Sequence, residues 1–251
     1  ADIVDGKAVV NHVACIDQGA IRIFDEDSGR QSSIVPTQSI ERRVVTSNHD
    51  LVTLTTDGRM RVIDALGVTI ATREVPRSVF VRDLQIARSP VLLIADPAGT
   101  GHCMGYVNEF QPRLLPSEIE IVLACYDRQL DVLRSTTARV RPRVKPWSPW
   151  IDIDAYQQGP RYASYAVRQQ VQKHFGSEWT ETLLVRWTDL TLTRLDTPIT
   201  RTLEDRDGQL LGVFIGGWFP SNLAFCRTLQ ACNATPRILD HDRYAAAALH
   251  V

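Results

Sequence analysis

The residues best placed to do chemistry fall in one short stretch. Arg139, Arg141, Arg143 and Lys145 occur at every second position, and Trp147 and Trp150 follow. On an extended strand, alternate side chains share a face, about 6.6 Å from one to the next. That spacing approximates the phosphates of a nucleic-acid strand, and the two indoles could stack on bases. The same stripe also fits an acidic surface on a protein partner. Pro142 and Pro146 exclude a central strand, so the stretch reads as an edge strand or an extended linker.

A second constellation lies just beyond it. Asp152 and Asp154 share a face of the segment Trp150-Ile151-Asp152-Ile153-Asp154, with Trp147 and Tyr156 nearby. Paired carboxylates can hold a divalent cation or divide acid and base work, so a hydrolase is one reading. Solvent-facing acids on an alternating strand are the other. His12 and Cys15 have an H-x-x-C spacing, but three residues apart on a strand they face opposite ways. No C-x-x-C completes a zinc set, so no metal is expected. Gly99-Thr100-Gly101-His102-Cys103-Met104-Gly105 lacks the spacing of a dinucleotide loop and the lysine of a phosphate loop. It reads as a wide turn or bulge, with His102 and Cys103 pointing apart. Asp240-His241-Asp242 reads as a helix cap. Asn233-Ala234-Thr235 is a glycosylation triplet followed by Pro236.

What must position these residues is a repeated hairpin. Val13–Asp25 and Val52–Asp64 each run apolar strand, turn, apolar strand, and they superpose at a constant offset of 39 residues, Gly19 onto Gly58 and Asp25 onto Asp64. Ile121–Leu133 is a looser third copy. Third strands are expected at 33–35 and 68–72. Asp50–Glu74 resembles a propeller blade of the WD or quinoprotein type, although the WD dipeptide is absent. Asp96 matches Asp57 at the same offset, but Asp127 follows after only 31 residues, so the period slips.

The fold class expected is mainly β, a hairpin-rich barrel, sandwich or partial propeller, with a few short helices in the C-terminal part. Those helices are placed at 162–175, between Gly159-Pro160 and Gly176, at Ser221–Cys232, and at Arg243–Leu249. Strands are expected within Trp179–Leu195 and Gln209–Phe214, the latter after an Asp207-Gly208 turn. Two regions are expected, a hairpin region at 1–146 and a mixed region at 147–251.

Composition narrows the function classes. The 251 residues carry a net charge of −1, so no global field draws in nucleic acid or a membrane surface. Of 28 basic residues only Lys7, Lys145 and Lys173 are lysines, and arginine is the residue of forked contacts across interfaces. No apolar run approaches the ~18 residues of a membrane span. Five cysteines, an odd number, and an acidic start suggest a reduced intracellular protein without a disulfide framework. No catalytic motif stands out, and no cofactor is expected. The leading function is therefore a non-catalytic structural or assembly subunit of a larger complex. It would work through protein contacts in a homo- or hetero-oligomer, with Arg139, Arg141, Arg143, Lys145, Trp147 and Trp150 as contact residues. A virus or phage particle is one setting for such a subunit. A nucleic-acid module built on the basic stripe is the alternative, and a hydrolase using Asp152 and Asp154 the second.

Overall fold

In the computed structural model the described residues are 2–4, 7–9, 12–17, 20–25, 28–36, 40–55, 58–75, 91–108, 118–141, 151–171, 176–196, 199–215, 224–226 and 237–238. Among them every regular element is a β-strand, and no helix is long and apolar enough to cross a membrane. The mainly β reading therefore holds. Strands follow one another as antiparallel meanders. A pair, β1 (Asp2–Val4) and β2 (Lys7–Val9), precedes the three-stranded sheet of β3 (His12–Asp17), β4 (Ala20–Asp25) and β5 (Gln31–Pro36). Four-stranded sheets come next. The first is β6 (Ile40–Val45), β7 (Leu51–Thr55), β8 (Arg59–Ile63) and β9 (Thr69–Glu74). The second is β10 (Leu92–Ala95), β11 (His102–Asn108), β12 (Ile119–Tyr126) and β13 (Val132–Val140). The third is β14 (Ile151–Gln157), β15 (Tyr162–Val171), β16 (Gly176–Arg186) and β17 (Thr191–Leu195). The last is β18 (Ile199–Glu204), β19 (Leu210–Ile215), β20 (Ala224–Cys226) and β21 (Arg237–Ile238).

The chain divides into two compact units. Unit 1 comprises Ala1–Val81, Val91–Glu109 and Val122–Thr137; unit 2 comprises Arg82–Pro90, Phe110–Ile121 and Ala138–Val251. In unit 1 the first strands of successive sheets lie side by side, β6 against β10, with the Arg42 guanidinium donating to the Val91 carbonyl at 3.3 Å. β7 is buried along its whole length, whereas β9 and the start of β13 are open to solvent. Inner strands covered on both faces and outer strands left wet are what face-to-face packing of narrow sheets produces. Val52, Leu54, Met60 and Val62 meet Met104, Tyr106, Ala124 and Tyr126 in one core. Ile21, Ile23 and Val35 pack with Leu51 and Ile63 in another. In unit 2, Tyr162, Leu184, Leu195, Ile199 and Val213 form a third.

Aspartates set the turns. In Asp64-Ala65-Leu66-Gly67-Val68 the carboxylate accepts from the Leu66 and Val68 amides at 3.0 and 2.8 Å, and Gly67 takes φ 84°. Asp127 repeats the pattern with Gln129 and Asp131, and Asp205 accepts from Gln209 at 2.7 Å. Such Asx bonds satisfy amides that a hairpin turn would otherwise leave open. The left-handed position falls on Gly208 in one turn and on Leu130 (φ 68°) in another. Leu130 accepts that strain because its side chain is buried in the core.

The C-terminal helices need correcting. Tyr162–Val171 is strand β15, paired along its length with β14 and β16. The Pro-to-Gly bracket does not mark a helix here: Gly176 opens strand β16, and pairing on both sides of a sequence rich in Tyr, Val and Ala makes 162–171 a strand. β20 sits inside the stretch expected as the Ser221–Cys232 helix. Arg243–Leu249 lies outside the described residues.

Candidate functional site

Arg139 and Arg141 flank buried Val140 and are both exposed, as the alternation requires. Arg139 is not an isolated cation: its Nε donates to Glu120 at 3.2 Å. The Arg141 carbonyl accepts from the Arg194 guanidinium at 3.2 Å. Arg143, Lys145, Trp147 and Trp150 lie outside the described residues. Asp152 and Asp154 stand either side of buried Ile153 on β14, opposite Arg168 and Ala166 in register. His12 and Cys15 lie on β3, opposite Asp25 and Arg22. The groups read as Asp240-His241-Asp242 and Asn233-Ala234-Thr235 are outside the described residues.

The structure assembles a different polar cluster, in the β10–β13 sheet. Cys103 and Cys125 are joined by a disulfide across β11 and β12, and both are fully buried. This overturns the expectation of a wholly reduced cysteine set, and with it the support that set gave to an intracellular location. Sequence spacing could not pair them, because the partners are 22 residues apart and meet only through strand register. The Arg134 guanidinium lies beside the bridge, 3.8 Å from Cys103 Sγ, and holds Asp96 with two hydrogen bonds, Nη1 to Oδ2 at 2.9 Å. The Asp96 carboxylate, fully buried, also accepts from the Ala98 amide at 2.9 Å. Asp96, Cys103 and Cys125 place their ligand atoms within 4.8 Å of one another. With the sulfurs bonded together and the carboxylate taken by arginine, that set offers no metal an open ligand.

His102 and Cys103 do point apart, as expected. His102 stacks on the Tyr126 ring at 5.5 Å and 22°, and is buried. Its Nε2 has no partner among the described residues. Burial lowers its pKa to about 4, against the opposing pull of the Asp127 and Asp96 carboxylates. The folded state therefore resists protonation that the unfolded chain accepts near pH 6.5. Stability is full above that pH and falls as the pH drops toward 4. A loss of about 2–3 kcal/mol in urea unfolding between pH 7 and pH 4 is expected, and His102→Phe should abolish most of it. An equal slope in both proteins would refute this. Gly101 makes the turn before His102 possible: a Cβ there would sit 1.9 Å from the Tyr126 carbonyl oxygen.

The turns of the two central sheets of unit 1 are tied together. Arg128 forks onto buried Asp50 at 2.9 and 3.0 Å, and the Ser47 hydroxyl donates to the Gly99 carbonyl at 3.3 Å. Val45, Val132 and Leu133 stand beside these turns, and Leu66 and Val68 on the β8–β9 turn. All are about half exposed or more, with Leu66 at 63%. Polar turns would be the norm, so five open aliphatic side chains at one end of the meanders need an explanation.

No protein-family profile matches the sequence, and no curated protein matches it. Solved structures do resemble it in fold. A dihydro-heme d1 dehydrogenase, NirN, in complex with DHE, is 13% identical with a TM-score of 0.51, over 92% of this chain and 44% of its own. BamB from Moraxella catarrhalis is 12% identical with a TM-score of 0.45, over 94% and 62%. The Dos1 propeller is 10% identical with a TM-score of 0.47, over 89% and 54%. The chain thus spans less than two thirds of the length of these structures. At such identities the likeness concerns the arrangement of strands: the described residues form propeller-like antiparallel meanders.

Proposed function

We propose that the chain is a non-catalytic subunit that acts through protein contacts, with the turn end of unit 1 as the contact face. The observation that carries this reading is the set of open aliphatic residues: Val45, Val132 and Leu133 beside turns braced by Arg128–Asp50 and Ser47–Gly99, and Leu66 and Val68 on the β8–β9 turn. Braced turns keep the apolar side chains in place, so a partner covering them meets a surface already ordered, which lowers the entropic cost of association. Arginines and aliphatics beside one another suit an interface core with a polar rim. The reading does not extend to a virus particle, for which neither fold nor surface speaks. A nucleic-acid module ranks below it because Arg139 is already paired with Glu120. The hydrolase reading ranks below it because Asp152 and Asp154 sit on a regular paired strand.

The test is the native mass of the tagged full chain in extract of its source organism, compared with Leu66→Asp/Leu133→Asp. Both positions are exposed, so the variant should keep its stability to within about 0.5 kcal/mol. A complex that falls to the mass of the chain alone in the variant supports the reading. A parent that elutes as a monomer, or a complex indifferent to both substitutions, sinks it.

A further inference from the structure

The buried cluster of the β10–β13 sheet holds a set of metal donors that the disulfide closes. Neighbouring strands place the Cys103 and Cys125 Cα atoms 3.9 Å apart, so the two sulfurs stay adjacent once the bridge is cut. Asp96 brings a carboxylate oxygen within 4.8 Å of both. Two thiolates and a carboxylate form a thiophilic donor set. Zinc–sulfur bonds of about 2.3 Å ask only small side-chain shifts of such a cluster. The set shares no residue with the contact surface above and goes beyond that reading.

Charge decides which ion the set would take. Two thiolates and a carboxylate cannot remain together in a core without compensation. A divalent ion and the Arg134 guanidinium supply that compensation in full, leaving the buried group neutral. Arg134 stands 3.8 Å from Cys103 Sγ, where its charge favours the thiolate. It is 27% exposed while Asp96 is fully buried, so it can keep one carboxylate oxygen and yield the other to a metal. Metal-bound carboxylates are commonly hydrogen-bonded in this way. We infer that the reduced chain binds a zinc-class divalent ion through Cys103, Cys125 and Asp96, and that the disulfide shuts this site. A dithiol reductant opens it. Two electrons and two protons pass to the sulfurs, and the reductant leaves as its own disulfide. The ion then displaces the two thiol protons.

The probe is cadmium alone, read by the ultraviolet band of its bonds to thiolate. The full chain is reduced with dithiothreitol in mild urea, which lets the sheet open. Urea and reductant are then removed without oxygen, and the ion is titrated in. The reduced parent is expected to take up a single tightly bound ion, with the band and a raised thermal midpoint. The bridged parent should bind at least about a hundredfold more weakly. Cys15, Cys226 and Cys232 are the background, and Cys103→Val/Cys125→Val keeps all three. That variant should lose the tight ion. Asp96→Asn retains an oxygen for the Ala98 amide and should weaken binding at least about tenfold. A reduced parent without the band overturns the proposal. So does a bridged parent or double valine variant that binds as tightly, or an Asp96→Asn variant of unchanged affinity. A bridge that no reductant opens short of full unfolding overturns it as well.

Discussion

The double variant Cys103→Val/Cys125→Val should unfold about 3 kcal/mol more easily than the parent chain. The figure is the loop-closure entropy that a bridge over 22 residues removes from the unfolded ensemble. Valine is the right replacement because the neighbouring sheet shows what the position accepts without a bridge. There, Val52 and Val62 face each other one residue into β7 after its turn, as Cys103 and Cys125 do on β11 and β12. Packing is therefore kept and the cross-link alone is lost. Urea unfolding checks the size of the effect, and reductant supplies the control. Reduced parent should fall to the stability of the variant, and the variant should ignore reductant. Both sulfurs are fully buried, so reduction of the native parent should wait for the sheet to open. Rapid reduction under native conditions, or a variant as stable as the parent, would contradict the account.

The hairpin grammar was legible because it is local. β3–β4 and β7–β8 are the hairpins read at 13–25 and 52–64, and the third strands expected at 33–35 and 68–72 are β5 and β9. The slip in the period has a structural cause. The copy at 121–133 spans β12 and β13, so its Asp127 turn corresponds to Asp64 after β8, whereas Asp57 precedes β8. Asp96 directly follows the first strand of its sheet, where Thr46 stands in the sheet before. Two different hairpins of the meander had been laid on one another. The signal that separates them is an aspartate followed three residues on by a left-handed residue, as at Gly67, Leu130 and Gly208. Leucine hides that signal in the middle case. The polar cluster was not legible at all. Asp96, Cys103, Cys125 and Arg134 come from four strands or their turns, and no spacing in the chain announces which sheet neighbours will meet.

Arg134→Met should cost about 3–5 kcal/mol, because it strands a carboxylate that has no water to turn to. Asp96 is fully buried, and Arg134 is 27% exposed and supplies two of its hydrogen bonds. The loss measures the penalty of the orphaned charge more than the worth of the pair. Adding Asp96→Asn to Arg134→Met should therefore recover much of the loss. The asparagine amide oxygen can still accept from the Ala98 amide and keep the turn, while the buried charge is gone. A double-mutant cycle in urea reads the coupling directly. Arg186–Asp189 is the contrast: both side chains are nearly half exposed, although the arginine holds the Asp189 pKa down to about 2. Solvent screening discounts that shift, so Arg186→Met should cost no more than about 1 kcal/mol. If the two arginine variants lose equal stability, burial of the carboxylate is not what fixes the β10–β13 sheet. If Arg134→Met dominates and Asp96→Asn rescues it, the sheet owes its rigidity to one buried carboxylate held beside a disulfide, a core that a purely apolar meander could do without.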